Sequence, residues 1–334
     1  MAGIVFSEAS GVTDSIFGKS QAAIRSFVEK KGESFEQNSV IKELFSMEKS
    51  THFGEKFTSL TAMDGFQVAG ENGAYPRDGM EEGYSKVMES VEWKDSFAIS
   101  KKIIEDSQLM DLKKKPLAFI TAYYRTREKF GAALLGNAIQ GNGSVKFAGG
   151  KFDLKGADGQ NLFYASHPSK VKGVTQCNLW SDAFSDDALG MLETKMQNTR
   201  GDNGEILDVA PDTILIPNIH SLKKAVFAAI GADKEPTTAN NAFNYQFGRW
   251  NVIVWNYLNQ YISSGTAPWL LLDSRYNKEY GTLIWLDRVA LEVSSKIDDN
   301  TDANVWRGRA RFTAGFHDWR GIACAGVSGA TDLS

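Results

Sequence analysis

A long stretch of alternating side chains is the sequence feature that most constrains the fold. In residues 85–100, SKVMESVEWKDSFAIS, large apolar side chains recur at positions of one parity, and polar side chains fill most positions of the other. The apolar positions are Val87, Val91, Trp93, Phe97 and Ile99. Because successive side chains of a β-strand point to opposite faces, this alternation predicts a strand with one face against an apolar surface. Such a strand exceeds the usual length of about 5–6 residues, so it needs a correspondingly long partner.

The natural partner of this strand is the weaker strand near Phe57 to Val68, which precedes it in the chain. The two would form a long hairpin whose end holds Gly70, Gly73, Pro76 and Gly79. A two-stranded hairpin by itself is only marginally stable in water, so this one must lie on another surface. That surface can belong to the same domain or to another subunit, and the sequence leaves both alternatives open.

Charge and cysteine content exclude several classes of protein. The chain has 334 residues and a formal net charge of −4, and it lacks the basic excess with which DNA-coating proteins neutralise phosphates. Its two cysteines, Cys177 and Cys324, are too few for a disulfide framework and form no CxxC pair. Neither a signal peptide nor a run of about eighteen apolar residues is present. We therefore expect a cytoplasmic protein with reduced thiols, no membrane span, and enough chain for two packed units.

Three helices are predicted before residue 141. Apolar residues at helical spacing in SQAAIRSFVEKK and NSVIKELFSMEK predict two short amphipathic helices, in an arm that packs on something else rather than on its own core. These apolar residues are Ala23, Ile24, Phe27 and Val28, then Val40, Ile41, Leu44 and Phe45. A long helix is predicted over 108–140, with Pro116 in its first turn and Gly141 and Gly143 as terminators.

The second half of the chain predicts a compact α/β unit over 211–273. Its strands DTILIPN, RWNVIVWNYL and PWLLLD are apolar at most positions, and the helix IHSLKKAVFAAIG lies between two of them, which is typical of a sheet covered on both faces. The helix SDDALGMLETKMQN has Ser185 as its predicted N-cap. Alternation returns in the last strands, TLIWLDRVALEVSS and VWRGRARFTAGF.

The adjacent pair Ser166–His167 is the one arrangement typical of a nucleophile with its base. Adjacent residues of an extended chain point to opposite faces, Pro168 favours a turn, and no GxSxG elbow is present, so we interpret the pair as a structural turn. The four histidines have no metal-ligand spacing, and the acidic clusters lack the pattern of a calcium loop. The glycines of GNAIQGNGS follow a helix rather than a strand, so they do not predict a phosphate site. No catalytic, cofactor or metal residue is therefore predicted.

The arginines Arg307, Arg309 and Arg311 share one face of the last strand, opposite Trp306, Ala310 and Phe312. This row is either a solvated sheet face or a basic stripe that meets an acidic strip across a subunit boundary. The acid-rich DGMEEG at the hairpin end, with Glu81 and Glu82, is the predicted mate in the second case.

The order of these elements resembles the major capsid protein fold of tailed bacteriophages, named for phage Hong Kong 97. Three motifs carry the resemblance, and they look closest to Mu-like major head subunits: GQNLFYASHPS followed by CNLW, RGDNGEILDVAPDTILIPNIHSLKKAVFAAI, and the strand pair RWNVIVWNYL and APWLLLD. The resemblance covers the chain from about residue 50. It implies an α+β fold with an N-terminal arm (N-arm), an extended hairpin (E-loop), a spine helix, a peripheral domain and an axial domain.

The implied boundaries follow the same order. They are 1–50 for the N-arm, 51–100 for the E-loop, 101–205 for the peripheral domain with its spine helix at 108–140, 206–275 for the axial domain, 276–318 for further peripheral strands, and 319–334 for a last axial strand and tail. The last strand is expected near Ile322 to Val327. No long N-terminal scaffolding segment is recognised, so a scaffold is expected to be a separate protein or a segment removed beforehand.

The resemblance implies a structural protein of the virion and not an enzyme. Its copies would assemble in the host cytoplasm into hexamers and pentamers of an icosahedral shell, with portal, scaffold and decoration proteins as partners and double-stranded DNA held by weak, non-specific proximity. The predicted inter-subunit contacts are Val91, Trp93, Phe97, Glu81, Glu82, Arg307, Arg309 and Arg311. Two alternatives stay open: an encapsulin-type nanocompartment of the same fold, and a soluble hydrolase that uses Ser166 and His167.

Overall fold

The fold is described by a computed structural model with two sheets and one long helix. It covers residues 5–7, 30–60, 68, 82–100, 109–169, 175–202, 204–231, 244–263 and 265–333. For residues 5–7, 60, 82, 109–113 and 295 the description is of the backbone alone. The strands are β1 (Val5–Ser7), β2 (Ser46–Lys49), β3 (Gly54–Leu60), β4 (Glu82–Glu89), β5 (Val91–Ile99), β6 (Ser144–Phe147), β7 (Gly150–Asp153), β8 (His167–Pro168), β9 (Thr175–Gln176), β10 (Thr213–Pro217), β11 (Asn251–Trp255), β12 (Trp269–Leu272), β13 (Leu283–Ile297), β14 (Asn304–Phe316) and β15 (Ile322–Ala325). The helices are α1 (Val40–Leu44), α2 (Leu109–Ile139), α3 (Asp186–Gln197), α4 (His220–Ile230) and α5 (Ser274–Tyr280), with a 3₁₀ helix at Asn256–Gln260.

The main sheet is built around the long antiparallel pair β13 and β14. Its order is β1-β13-β14-β5, and β2 also pairs with β13. The inner face carries a cluster of aromatic rings against α2. Trp93 stacks on Phe312 with ring centroids 4.8 Å apart, and Phe312 stacks on Trp285 at 5.3 Å. Phe130 of α2 is fully buried against the same cluster, so the rings join the helix to the sheet.

The long helix α2 agrees with the prediction over 108–140. Its 31 residues span about 46 Å, and its second half is buried almost throughout. The prediction that Pro116 lies in the first turn is wrong, because the helix already begins at Leu109. The preceding Leu and Lys residues are good helix formers and extend the helix upstream, at the expense of the one backbone hydrogen bond that Pro116 cannot donate.

The second sheet confirms the predicted α/β unit. Its order is β11-β10-β12-β15, with β10 and β11 parallel and the other pairs antiparallel. One face packs against α3 and α4, and the other contributes to the core around α2. The strand β15 pairs with β12 although 49 residues lie between them, in agreement with the last strand that the resemblance implies. Ser185 is the N-cap of α3, and its side chain accepts a hydrogen bond from the N–H of Ala188 at 3.1 Å.

The predicted single strand over 85–100 is wrong, because two strands of different sheets replace it. β4 pairs with β3, as expected for the hairpin, but it ends at Glu89. At Ser90 the chain leaves the hairpin, and β5 then pairs with β14 in the main sheet. The physical reason is that Trp93 and Phe97 find aromatic neighbours on β14 and α2, whereas the hairpin offers them only its partner strand.

The second predicted helix of the arm also packs on this chain rather than elsewhere. Ile41 and Leu44 of α1 are buried, and Phe45 meets Trp285 edge to face with ring centroids 5.8 Å apart. The side chain of Asn277 donates a hydrogen bond to the carbonyl of Leu44 at 2.7 Å. Residues 40–49 thus have no core of their own, as expected for the arm, and the surface that they cover belongs to the same chain. The first predicted helix, with Ala23, Ile24, Phe27 and Val28, lies outside the described residues.

A close helix contact generates a stability prediction. A Cβ added at Gly136 of α2 would lie 2.5 Å from the Cβ of Tyr261 and 3.0 Å from its carbonyl oxygen. We expect Gly136→Ala to lower the free energy of unfolding by about 1–2 kcal/mol in urea denaturation, because the clash outweighs the gain of about 1 kcal/mol in helix propensity. Gly143→Ala is the control, since its Cβ would meet only side-chain atoms at 3.4 Å. Equal stability of both variants would contradict the prediction.

Candidate assembly surfaces

The aromatic side chains predicted to meet another subunit have partners inside this chain. Trp93 stacks between Phe312 and Phe152, and its indole N–H donates to the carbonyl of Phe312 at 3.0 Å. Phe97 lies 5.2 Å from Phe119 and 6.1 Å from Trp306, measured between ring centroids. These contacts account for the alternation that pointed to an external surface. Trp93 and Phe97 thus stabilise the subunit, and only their exposed edges remain for a neighbour.

The arginine row lies on the outer face of the main sheet, as the alternation predicted. Arg307 and Arg309 of β14 are exposed, whereas Trp306 and Ala310, which flank them in the sequence, are buried.

Arg309 has its acidic partners within the chain. Its guanidinium donates to Glu92 at 2.5 Å and to Glu292 at 3.2 Å, across both neighbouring strands. Glu92 also pairs with Lys94 at 2.7 Å. Hydrogen bonds from Lys94 and Arg309 lower the pKa of Glu92 to about 2, so the carboxylate stays charged above that pH. Arg309 therefore needs no carboxylate from another subunit.

Arg307 and Arg311 differ from Arg309. Among the described residues, no carboxylate lies within salt-bridge distance of either guanidinium. The Nε of Arg311 is buried and has no hydrogen-bond partner in the described part of the chain. Of the predicted acidic mates, Glu81 lies outside the described residues, and Glu82 is described only by its backbone, which pairs with Leu60. The pairing of the arginine row with the hairpin end stays a prediction.

The base of the hairpin lies on its own subunit. Met88 packs on Ile284 and Leu286 of β13, and Phe57 packs against the same cluster. Lys86 forms an ion pair with Asp153 at 3.1 Å and also donates to the carbonyl of Lys155. Burial lowers the pKa of the Lys86 amino group, while Asp153 acts in the opposite direction. Of the two alternatives for the hairpin, packing on the same domain is correct for residues 54–60 and 82–89.

The pair Ser166–His167 is a structural turn rather than a nucleophile with its base. Ser166 is exposed and His167 is buried, with its ring stacked on Trp319 at 4.2 Å. The Nδ1 of His167 faces Asp158 at 2.6 Å, and its Nε2 faces the side-chain oxygen of Asn178 at 3.1 Å. Both ring nitrogens are therefore engaged, and neither is available to Ser166 as a base.

Asn178 organises the same turn. Its side-chain nitrogen donates to the carbonyls of Leu162, Ile322 and Trp319, at 2.8, 3.2 and 3.4 Å. Its oxygen accepts from the N–H of Tyr164 at 2.9 Å. One buried amide thus joins the turn to the end of β14 and the start of β15. The CNLW motif indicated this asparagine, although spacing alone gave it no role.

A buried ionic cluster beside this turn escaped the sequence analysis altogether. Arg320 contacts Asp202 at 3.0 Å and Asp318 at 3.3 Å, and Asp318 accepts from the hydroxyl of Tyr276 at 3.0 Å. Burial raises the pKa of Tyr276, and the nearby Asp318 raises it further. The four residues come from three separate segments, so no sequence period could relate them all. They join the loop before β10 to α5 and the start of β15.

The described residues offer neither a metal site nor a membrane-spanning helix. Within the ranges given above, no group of three or more His, Cys, Asp and Glu side chains could hold a metal ion. None of the described helices is both long and apolar enough to cross a membrane. Cys177 and Cys324 are free thiols, and burial raises the pKa of both.

A comparison with protein-family models identifies the family of this chain. A family model described as "Phage capsid protein" matches residues 84–325, which include the long helix, the second sheet and the strands β5, β13 and β14 of the main sheet. The chain belongs to the phage capsid protein family. It is a major capsid protein. A comparison with curated proteins found no match.

Solved structures share the fold of this capsid protein at low sequence identity. The capsid of Ralstonia phage GP4 is 11% identical over 86% of this chain and 90% of its own, with a TM-score of 0.55. A structure from Mycobacterium phage Patience is 14% identical over 100% of this chain and 96% of its own, with a TM-score of 0.51. The holo-SrpI encapsulin complex from Synechococcus elongatus PCC 7942 is 10% identical over 88% of both chains, with a TM-score of 0.50. The fold is thus the Hong Kong 97-like fold, while the finer likeness to Mu-like head subunits stays a prediction.

The amide of Asn178 generates a second stability prediction. We expect Asn178→Ala to lower the free energy of unfolding by about 3 kcal/mol, because it leaves buried carbonyls, the Tyr164 N–H and His167 without partners. Urea denaturation of unassembled subunits measures the loss. Asn142→Ala is the control, since Asn142 is exposed and its side chain bonds only to Asn137. A loss below about 1 kcal/mol for Asn178→Ala would contradict the role given to this amide.

Proposed function

We propose that copies of this capsid protein assemble into hexamers and pentamers of an icosahedral shell that encloses phage double-stranded DNA. The observation that carries the proposal is the family match over residues 84–325, which includes the long helix, the second sheet and three strands of the main sheet. The net charge of −4 suits a shell that lies near DNA without binding it tightly. Portal, scaffold and decoration proteins are proposed partners, and assembly is proposed to take place in the host cytoplasm.

The proposed role of each segment follows from the domain that the resemblance implies for it. Residues 1–50 act as the N-arm, 51–100 as the E-loop, and the main sheet with α2 as the peripheral domain. The second sheet, with its neighbours at 206–275 and 319–334, acts as the axial domain. Since β5 pairs with β14, we place the part of the E-loop that reaches a neighbour before Ser90. Ser166 has no catalytic part in this proposal.

A patch of exposed aromatic side chains favours ring contacts through the axial domain. Phe227 of α4 is 52% exposed, and Tyr245 and Phe247 in the following turn are about half exposed. The side chain of Asn244 donates to the carbonyl of Ala229 and so holds this turn beside α4. Exposed aromatic side chains close together are typical of protein interfaces. We propose that this patch meets the next subunit around a symmetry axis.

An encapsulin-type nanocompartment is the second candidate. The likeness to the SrpI encapsulin favours it only at the level of the fold, because 10% identity does not distinguish a cargo shell from a DNA shell. The family match points to the phage capsid. Shells recovered from phage-producing cells with packaged DNA would decide for the phage role, and shells with an enzyme cargo would decide against it.

Assembly itself is the direct test of the proposed function. We expect the purified full chain to sediment as large particles, and negative-stain microscopy to show closed shells of uniform size. The reason is that weak contacts repeated over many subunits add up to a stable particle. A monomer or small oligomer at high protein concentration, with a stable fold, would contradict the proposal.

The arginine row generates a charge prediction. We expect Arg307→Glu and Arg311→Glu each to raise the protein concentration needed for assembly about tenfold, because an acidic strip of the neighbour would then face a like charge. Light scattering measures assembly, and urea denaturation of unassembled subunits tests the fold. The control is Lys151→Glu, at an exposed lysine of β7. Assembly of both arginine variants at the wild-type concentration would identify the row as a solvated face.

A further inference from the structure

Two half-buried arginine side chains of the main sheet carry charges that no carboxylate of the described residues neutralises. Arg311 of β14 and Arg288 of β13 form no ion pair within the described part of the chain. Each also has a buried nitrogen without a hydrogen-bond partner there, Nε in Arg311 and Nη1 in Arg288. A buried N–H of a charged group that lacks an acceptor lowers the stability of the fold. The two guanidinium groups are therefore expected to bind an anion.

The register of the main sheet brings these two side chains together. Val289 lies opposite Arg311, whereas Asp287 lies opposite the next residue of β14. Arg288 is thus the extra residue of a β-bulge, with no residue of its own opposite it. The carboxylate of Asp287 points toward α2, where it accepts a hydrogen bond from Arg127 at 3.0 Å. Arg288, the next residue along the strand, therefore points to the outer face, which also carries Arg311.

A third hydrogen-bond donor stands at the start of β5. Ser90 is only 7% exposed, and its hydroxyl has no hydrogen-bond partner among the residues that the structure describes. It precedes Val91, which lies opposite Phe312 of β14. Since Phe312 points to the inner face, Ser90 and Arg311 are both placed toward the outer face by alternation. Diagonal neighbours on adjacent strands lie about 7–8 Å apart, which is within reach of an arginine side chain.

The carboxylate that faces Arg311 in the register is already engaged. Glu92 of β5 lies opposite Arg311, but it binds Lys94 at 2.7 Å and Arg309 at 2.5 Å. Its charge is therefore shared by two other cations. All three unpaired groups are hydrogen-bond donors, and two of them are cations. The ligand that completes them must be an acceptor with negative charge.

We propose that Arg288, Arg311 and Ser90 bind one phosphate-like oxyanion on the outer face of the main sheet, beside the joint between the hairpin and β5. Guanidinium groups bind such oxyanions through paired hydrogen bonds, and the serine hydroxyl supplies another. The ligand is a free ion rather than the backbone of DNA, because the donor atoms are buried and a duplex does not reach them. The bound ion joins β13, β14 and β5 within one subunit, so it stabilises the subunit at this joint.

The first test is a calorimetric titration of unassembled subunits with inorganic phosphate at constant ionic strength. We expect one ion to bind per wild-type subunit, and Arg288→Gln to raise the Kd about tenfold, because it removes a hydrogen bond between charged groups. Arg307→Gln is the matched control, since Arg307 is an exposed arginine of the same face, and it should bind phosphate like wild type. Absence of binding to the wild-type subunit, or equal binding by Arg288→Gln, would overturn the inference.

The second test separates this site from the general effect of phosphate on proteins. Phosphate is excluded from protein surfaces and so stabilises every variant to a similar extent. An ion bound at the site adds a stabilisation that depends on the site residues. We expect phosphate to raise the midpoint of thermal unfolding more in wild type than in Ser90→Ala or Arg288→Lys, which keeps the charge but lacks the planar fork of donors. An equal rise in all three proteins would show the general effect alone and would count against the site.

Competition with a short DNA duplex identifies the source of the oxyanion. We expect the duplex to leave the phosphate affinity of wild-type subunits unchanged. Displacement of phosphate by the duplex would overturn the assignment to a free ion. All three measurements use unassembled subunits, so a negative result leaves the proposed function intact, whereas a chain that forms no shell contradicts the proposed function and not the oxyanion site.

Discussion

The stack of aromatic rings between the main sheet and α2 is the interaction on which the rest of the subunit depends. Trp93, Phe312 and Trp285 come from three adjacent strands, and Phe130 brings the long helix onto them. Large rings bury much apolar surface for few rotatable bonds, so this cluster fixes the helix on the sheet. The second sheet then packs against the other side of the same helix region, through Leu215, Ile253 and Leu270. A single apolar core thus extends from the main sheet across α2 to the second sheet.

Buried polar side chains fix the relative positions of chain segments that apolar packing alone does not determine. The amide of Asn178 and the guanidinium of Arg320 both join segments that are more than a hundred residues apart in sequence. Hydrophobic burial has no direction, whereas a buried amide with three acceptors holds only one arrangement. These two side chains therefore set how the chain enters β15, which completes the second sheet.

The elements with a strong local period could be predicted from the sequence. The helix α2, the N-cap Ser185, the apolar strands of the second sheet and the arginine face of β14 all follow from side-chain spacing. The break at Ser90 could not be predicted, because the alternation of side chains continues across it. Whether residues 91–99 pair within the hairpin or within the main sheet depends on aromatic rings that are distant in sequence. The surface that α1 covers could not be predicted either, since an amphipathic pattern does not identify the apolar surface against which a helix packs. The place of β5 at the end of the main sheet, among the described strands, depends on strand order, which only the fold reveals.

The break at Ser90 gives the subunit a mechanical property. A single buried residue connects the hairpin to β5, and β5 is held to β14 by nine residue pairs that run from Val91 to Ile99. Tension on the hairpin along the strand direction is therefore resisted by all nine pairs together, in shear, rather than one after another. The stacked rings of Trp93 and Phe312 lie at the same end of β5, so aromatic packing reinforces the pairs nearest to the hairpin.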